Sequence, residues 1–388
     1  MSRDSLIVTL GLVLLLGWPS VTRAVDPHID PSLVPGGCSA CHRGHGVSRS
    51  PMLPAPQSEM CLQCHDSRAQ ADRMVDRQLL TANVVPRSLS SALSQPYVHP
   101  LSPEAFSRHE PGAVTCTSCH SPHRGAPESR AGNPALSGRR KLASNDPNRF
   151  EFELCQSCHG SAGLGTQSLL DISRLTNPNN RSTHPVEAPA LESSPSLLVG
   201  NADREVNCTD CHGNSDRNGA AGPHGSAIRY ILREEYVTAD GETETAATYA
   251  LCYSCHDRER VLDSPLFPLH REHVVEEKAS CATCHSAHGS IDNRALVRFG
   301  EETFLGGVGP SARTGQLGFV SDVPGAGTCF LTCHGVDHAP ESYGGIGEPE
   351  LFDRGSRGLV TGVEEPRRVG EEPRRIQKPN GERRDRPQ

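Results

Sequence analysis

The sequence has little from which to build a side-chain core. Aromatic residues are 4% of its 388 positions, with one Trp and nine Phe set against 37 Gly and 31 Pro. Packed interiors draw on Leu, Ile, Val, Phe and Met. A chain this sparse is either unfolded or organised around something other than its own side chains. Methionine is scarce too: after Met1 only Met52, Met60 and Met74 remain, so thioether ligation of a metal is at most a minor theme. A basic excess is missing, the formal net charge being −8, which excludes a general nucleic-acid binder with its positive footprint.

Long apolar runs are also lacking. The one stretch, Leu6 to Trp18, is shorter than the roughly 20 residues of a membrane span. Arg3 precedes it and Thr22-Arg23-Ala24 follows it, so residues 1–24 read as a secretory signal. No later segment has the apolar length to cross a membrane. The mature chain is expected outside the cytoplasm, in an oxidising compartment, with the periplasm as the first assignment and an outer-membrane or extracellular position as the alternative.

What is abundant is cysteine, at sixteen, and histidine, at nineteen. An even cysteine count in an exported chain ordinarily signals disulfides. The spacing argues otherwise. The cysteines fall into eight close pairs with none left over, and a histidine follows each pair at once. Seven are C-x-x-C-H: Cys38/Cys41/His42, Cys61/Cys64/His65, Cys116/Cys119/His120, Cys155/Cys158/His159, Cys208/Cys211/His212, Cys252/Cys255/His256 and Cys281/Cys284/His285. The eighth is widened to C-x-x-x-C-H, Cys329/Cys333/His334. Two thiols at this spacing reach the two vinyl groups of one porphyrin, and the adjoining histidine sits under the iron. A zinc site would not require the histidine and would use two such cysteine pairs per metal. The expected cofactor set is therefore eight covalently bound haem c groups, whose flat apolar bodies replace the missing core.

The motifs form four couples, each with an upstream histidine. The first runs from His28 through Cys38 to His65, the second from His99 through Cys116 to His159. The third runs from His184 through Cys208 to His256, the fourth from His273 through Cys281 to His334. Each leading motif is also followed by a further histidine: His45, His123, His224 after an insertion, and His288. Histidines recurring at equivalent repeat positions are expected to be the distal iron ligands: His28, His45, His99, His123, His184, His224, His273 and His288. His109 competes with His99 and His270 with His273, and His338 is left as a further ligand choice.

At this point the sequence resembles the doubled CXXCH-motif multihaem c-type cytochromes, loosely grouped with cytochrome c3-like proteins. The resemblance is carried by Val98–Pro100, Thr183–Pro185, the CHSPH stretch ending at His123, the GPHGS around His224, the LCxSCH forms at Leu154–His159 and Leu251–His256, and the ending Gly327–Tyr343. It covers roughly residues 26–345 and implies electron transfer in an anaerobic respiratory or extracellular chain. The expected fold is mainly irregular coil with short α-helices around haems, in four tandem dihaem repeats forming an elongated array. Their approximate bounds are 25–90, 91–165, 180–262 and 263–345. Short helices are expected before the second motif of each couple, for example across Glu244–Tyr253, and one helix across Asp66–Val85. Ala295–Phe299 and Gly318–Val320 are expected to form a short ribbon.

Residues 346–388 have no Cys or His and carry two EEPRR copies, a composition expected of a disordered charged tail. The expected partners are other redox proteins: periplasmic or outer-membrane cytochromes, and quinol-oxidising or terminal reductase components. A homo-oligomer or conduit complex is the assembly alternative. Two rival functions remain open from sequence. One is a multihaem reductase of a small oxyanion or a nitrogen or sulfur compound, with an open iron at His334. The other is a subunit of a haem filament or outer-membrane conduit. No residue is expected to be catalytic under the carrier reading.

Overall fold

The computed structural model describes residues 27–47, 50–101, 114–123, 150–161, 171–202, 204–299 and 308–344. The expected signal segment, the charged tail and His109 lie outside them. All described residues belong to one unit, Met1–Glu348.

Glycine, proline and the one-turn spacing of the motifs keep the helices short. In chain order they are α1 Cys38–Cys41, α2 Gln57–His65, α3 Arg68–Asp76, α4 Ser90–Leu93, α5 Cys116–Cys119, α6 Glu151–His159, α7 Ile172–Leu175, α8 Cys208–Cys211, α9 Ala250–Tyr253, α10 Arg258–Leu262 and α11 Cys281–Cys284. The helix expected over Asp66–Val85 is confined to α3. Ser67 caps its N-terminus by accepting from Gln70 N–H, and Gln78 with φ +59 breaks the path beyond it. Across Glu244–Tyr253 only α9 is helical, because Glu244 is engaged elsewhere: it takes hydrogen bonds from Tyr253 Oη (3.0 Å) and Arg258 Nε (2.9 Å).

The strands are also short. β1 (Tyr97–Val98) pairs antiparallel with β3 (Gly225–Ser226), and β2 (Ser182–Thr183) pairs with β4 (Gly289–Ser290). The two pairings are alike in detail. Each joins the His-Pro segment of one couple to the His-Gly-Ser segment of the next. A Cβ on Gly225 would lie 2.0 Å from Ala92 O, and one on Gly289 would lie 2.0 Å from Leu175 O. Only glycine permits that backbone approach. Ser226 Oγ donates to Leu232 O, and Ser290 Oγ to Val297 O, both at 2.6 Å.

The larger sheet lies at the end of the described chain. β7 (Gly327–Cys333) is flanked by β6 (Gly318–Val320) on one edge, pairs also with β5 (Val308–Gly309), and turns back into β8 (Val336–Tyr343). Gly318–Val320 is thus a strand as expected, but its partner is β7. The 295–299 segment instead meets His285 through an isolated bridge at Val297.

The apolar clusters are small. One gathers Ala71, Met74 and Leu80 with Cys64 against it; the other gathers Tyr249, Leu262 and Val274 with Cys281 against it. Both abut a motif cysteine, so side-chain burial converges on the motifs. Among the described residues no helix is long and apolar enough to cross a membrane.

Candidate functional site

Four of the seven C-x-x-C-H motifs coil as isolated helical turns (α1, α5, α8, α11), two end a nine-residue helix (α2, α6), and the one at Cys252 begins in α9 and runs past its end. A spacing of three places both thiols on one helix face. The histidine follows at the cap, its backbone N–H donating to the first cysteine's carbonyl: His42 to Cys38 (2.9 Å), His120 to Cys116 (2.9 Å), His212 to Cys208 (2.8 Å), His256 to Cys252 (3.0 Å), His285 to Cys281 (2.9 Å). None of the sixteen cysteines is paired in a disulfide. Among the described residues no three His, Cys, Asp or Glu side chains converge to hold a bare metal ion.

The histidine rings stand in pairs. His42 faces His123 (centroids 5.9 Å apart), His65 faces His28 (6.1 Å), His120 faces His224 (5.8 Å) and His159 faces His99 (6.2 Å). His212 faces His288 (6.3 Å), His285 faces His270 (6.2 Å) and His273 faces His338 (6.3 Å). Rings in direct contact would lie closer. With a metal–nitrogen bond of about 2.0 Å and a centroid about 1.2 Å behind its nitrogen, two imidazoles on opposite sides of one ion sit about 6 Å apart. The residues therefore fit haem: a thiol pair on one face, an imidazole beside it, and a second imidazole one iron's width away.

The nitrogens are sorted for this use. Nδ1–H of His42 donates to Pro51 O (2.8 Å), of His65 to Arg87 O (3.2 Å), of His212 to Tyr230 O (2.9 Å) and of His285 to Ala295 O (2.7 Å). His256 Nδ1 pairs with Ser196 Oγ (2.7 Å). On the opposing side His99 donates to Pro223 O (2.6 Å), His184 to Ala287 O (2.6 Å) and His273 to Leu269 O (2.8 Å). Holding Nδ1 fixes ring orientation and leaves Nε2 for a metal. Positive-φ residues turn several of these carbonyls inward: Met52 (62°), Tyr230 (63°) and Ala295 (51°). Burial holds His184, His212 and His285 below the usual histidine range and pushes His256, His270 and His288 down to about 4. Each ring is thus neutral at pH 7, the form that binds a metal.

The pairing follows a pattern that sequence reading missed. The upstream histidine of a couple faces that couple's second motif: His28 with His65, His99 with His159. His184 lies near His256, and near His285 and His288 as well. The downstream histidine faces the leading motif of the couple before it: His123 with His42, His224 with His120, His288 with His212. His45, expected as a distal ligand, is exposed and faces no other ring among the described residues. His270, the weaker choice from sequence, is the ring opposite His285. His273 stands elsewhere, opposite His338. His334, expected as a proximal ligand, is bonded through Nε2 to Asp240 Oδ2 (2.9 Å).

Successive motifs also touch. Cys61 lies beside Cys116, Cys155 beside Cys208, and Cys252 beside Cys281. A carboxamide and a carboxylate clamp the first two of these junctions, and a second carboxylate holds the Cys281 motif to the segment at Asp240. Gln57 bonds Thr117 N–H (3.0 Å) and Thr117 Oγ1 (2.8 Å). Buried Glu151 takes Thr209 N–H (2.9 Å) and Oγ1–H (3.1 Å), and Asp240 takes Ser280 N–H (2.7 Å) and Thr283 Oγ1–H. Electrostatic neighbours fill the remaining steps: Cys41 with Cys64, Cys119 with Cys158, Cys211 with Cys255, and Cys284 with Cys329 and Cys333.

Motif helices, paired imidazoles and a core too small without a prosthetic group define a multihaem c-type cytochrome. Two family profiles agree. The doubled CXXCH motif matches residues 32–70, and the outer membrane cytochrome MtrC/MtrF-like family, domains II/IV, matches residues 113–296. No curated protein and no solved structure matches the chain.

Proposed function

We propose that the chain is an octahaem electron-transfer protein of an extracellular electron-transfer route, associated with the outer membrane or the cell surface as part of a conduit. The carrying observation is the set of seven imidazole pairs at 5.8–6.3 Å. It supports irons with both axial positions filled, which leaves substrate no place to bind and argues for a carrier rather than a reductase. Haem supplies one-electron chemistry when bound.

The chain's own contribution is to hold the groups in sequence. Thiol contacts and the Gln57, Glu151 and Asp240 clamps support an order in which each attachment motif lies beside the next, from Cys38 to Cys333. Burial and the Nδ1 hydrogen bonds set the imidazoles' basicity, and with it the potentials. The MtrC/MtrF-like match supports the outer-membrane setting over a purely periplasmic one, with other cytochromes as redox partners.

The test is the pyridine haemochrome count with EPR and visible spectra of the oxidised protein. Eight haems, all low-spin, are expected, with eight electrons taken up in a reductive titration. A high-spin haem in the wild type would favour the reductase. Protease treatment of intact cells is expected to cleave the chain; full protection would return it to the periplasm.

A further inference from the structure

The eighth motif is built unlike the other seven. It lies on a strand, where side chains alternate between faces. A spacing of three would put its cysteines on opposite faces; the extra residue makes the spacing four, so Cys329 and Cys333 share one. The widened motif is thus the form of the motif that a strand can use. The same alternation carries His334 off that face. It sits in the β7–β8 turn at φ +49°, and its Nε2, the atom iron would need, is bonded to Asp240 Oδ2 at 2.9 Å. Asp240 is itself held by Ser280 N–H (2.7 Å) and Thr283 Oγ1–H.

His338 occupies the place His334 leaves. On β8 it is the direct partner of Leu331, midway between Cys329 and Cys333; the register shift between the Cys329 and Leu331 pairings puts its extra residue on β8, between Glu341 and His338, and leaves β7 without one. Directly paired residues point to the same face, so His338 lies on the face of both thiols and between them. Its ring stands 6.3 Å from that of His273. His273 Nδ1–H is taken by Leu269 O at 2.8 Å, leaving its Nε2 toward His338. The neighbouring couples give an independent argument. His28 and His99 each face the imidazole of their own couple's second site, and His273 is the equivalent upstream histidine of the last couple.

We propose that the eighth haem takes its two axial imidazoles from His338 and His273, and that His334 is a positioning residue which pins the hairpin to Asp240. The assignment rests on the octahaem reading above. A proximal imidazole thus arrives across a hairpin rather than from the residue adjoining the second cysteine.

The test uses the full-length, haem-loaded protein and three variants, His338→Ala, His273→Ala and His334→Gln, the last retaining a side-chain donor for Asp240. Haem is counted by pyridine haemochrome and intact mass, and spin state is read by EPR. In His338→Ala and in His273→Ala one haem in eight is expected to turn high-spin, and added imidazole is expected to return it to low-spin. That rescue separates a lost ligand from a misfolded hairpin. His334→Gln is expected to keep eight low-spin haems. The opposite pattern, a high-spin haem in His334→Gln with His338→Ala unchanged, overturns the assignment. A wild type with seven haems and a bare peptide spanning residues 327–344 overturns it too, while leaving the electron-transfer reading intact. A wild type without covalent haem overturns that reading instead.

Discussion

The ring of His224 lies 5.8 Å from that of His120 and within 14° of parallel to it, although the two belong to different motif couples. The β1–β3 pairing sets this distance. It joins Tyr97–Val98 to Gly225–Ser226, and so brings the second couple's His-Pro segment against the histidine that the third couple lends.

Replacing His224 by Ala is therefore expected to change the haem bound at Cys116 and Cys119, two motifs before the one that His224 follows in the chain. One haem of the set should become high-spin in EPR, with haem content unchanged. An unaltered spectrum would remove His224 from the ligand set.

His45 gives the contrasting case. It has the same place after its motif as His123 and His288, yet no ring faces it among the described residues. His45→Ala is expected to leave every haem low-spin, whereas His123→Ala converts one. Paired EPR spectra of the two variants check this.

Gly289→Ala is expected to destabilise the protein by several kcal/mol, because its Cβ would meet Leu175 O at 2.0 Å and backbone has no rotamer to yield; overpacking of this kind costs about 1–3 kcal/mol or more. Gly309→Ala is the control, with nothing within 4 Å of its Cβ position. Urea unfolding of the two should differ by at least about 1 kcal/mol.

Acid sensitivity is expected at Glu244. Burial pushes its carboxyl up, but the hydrogen bonds from Arg258 and Tyr253 outweigh burial and hold it below the usual range. A depressed carboxyl stabilises the fold above its unfolded-state pKa, and that contribution is lost as the pH falls through the folded value. Stability should drop below about pH 4.5. Glu244→Gln should cost about 2 kcal/mol at pH 7 and flatten this part of the profile. Denaturant midpoints across pH 3–7 test both.

Without haem attachment the chain should not fold cooperatively. Among the described residues the apolar clusters around Met74 and Tyr249 are small, and each ends on a motif cysteine. Cys→Ser at both cysteines of one inner motif, such as Cys155 and Cys158, is expected to expose the surrounding segment to limited proteolysis.

Much of the chemistry was legible in the sequence because it is local. The C-x-x-C-H spacing is one helical turn, and Val98–Pro100 and Thr183–Pro185 announced recurring ligand segments. What was not legible is long-range. Nothing near His123 tells that it faces His42 in the preceding couple; the antiparallel clips that set such pairings are two residues long and carry no periodic signal. His270 was hidden for another reason. It lies three residues from His273, and only the path after Phe267, which packs edge-on to His270 at 4.8 Å, sends the two rings to different partners. The eighth motif lies on a strand, where parity rather than adjacency to cysteine decides the face, and the ligands proposed for it rest on that difference.

The loan of histidines from one couple to the one before it has a consequence for how such a chain can be shortened or spliced. A cut between couples does not release two smaller carriers. Under the proposed ligation it would leave the upstream piece with one iron missing a ligand, as a cut ahead of His288 would remove the ring opposite His212. Under that ligation the severed end would hold an iron open to small ligands, while the rest would stay sealed. Chain length and chemical inertness are therefore coupled. The downstream piece, by contrast, begins with a spare imidazole, the condition His45 already shows at the first motif.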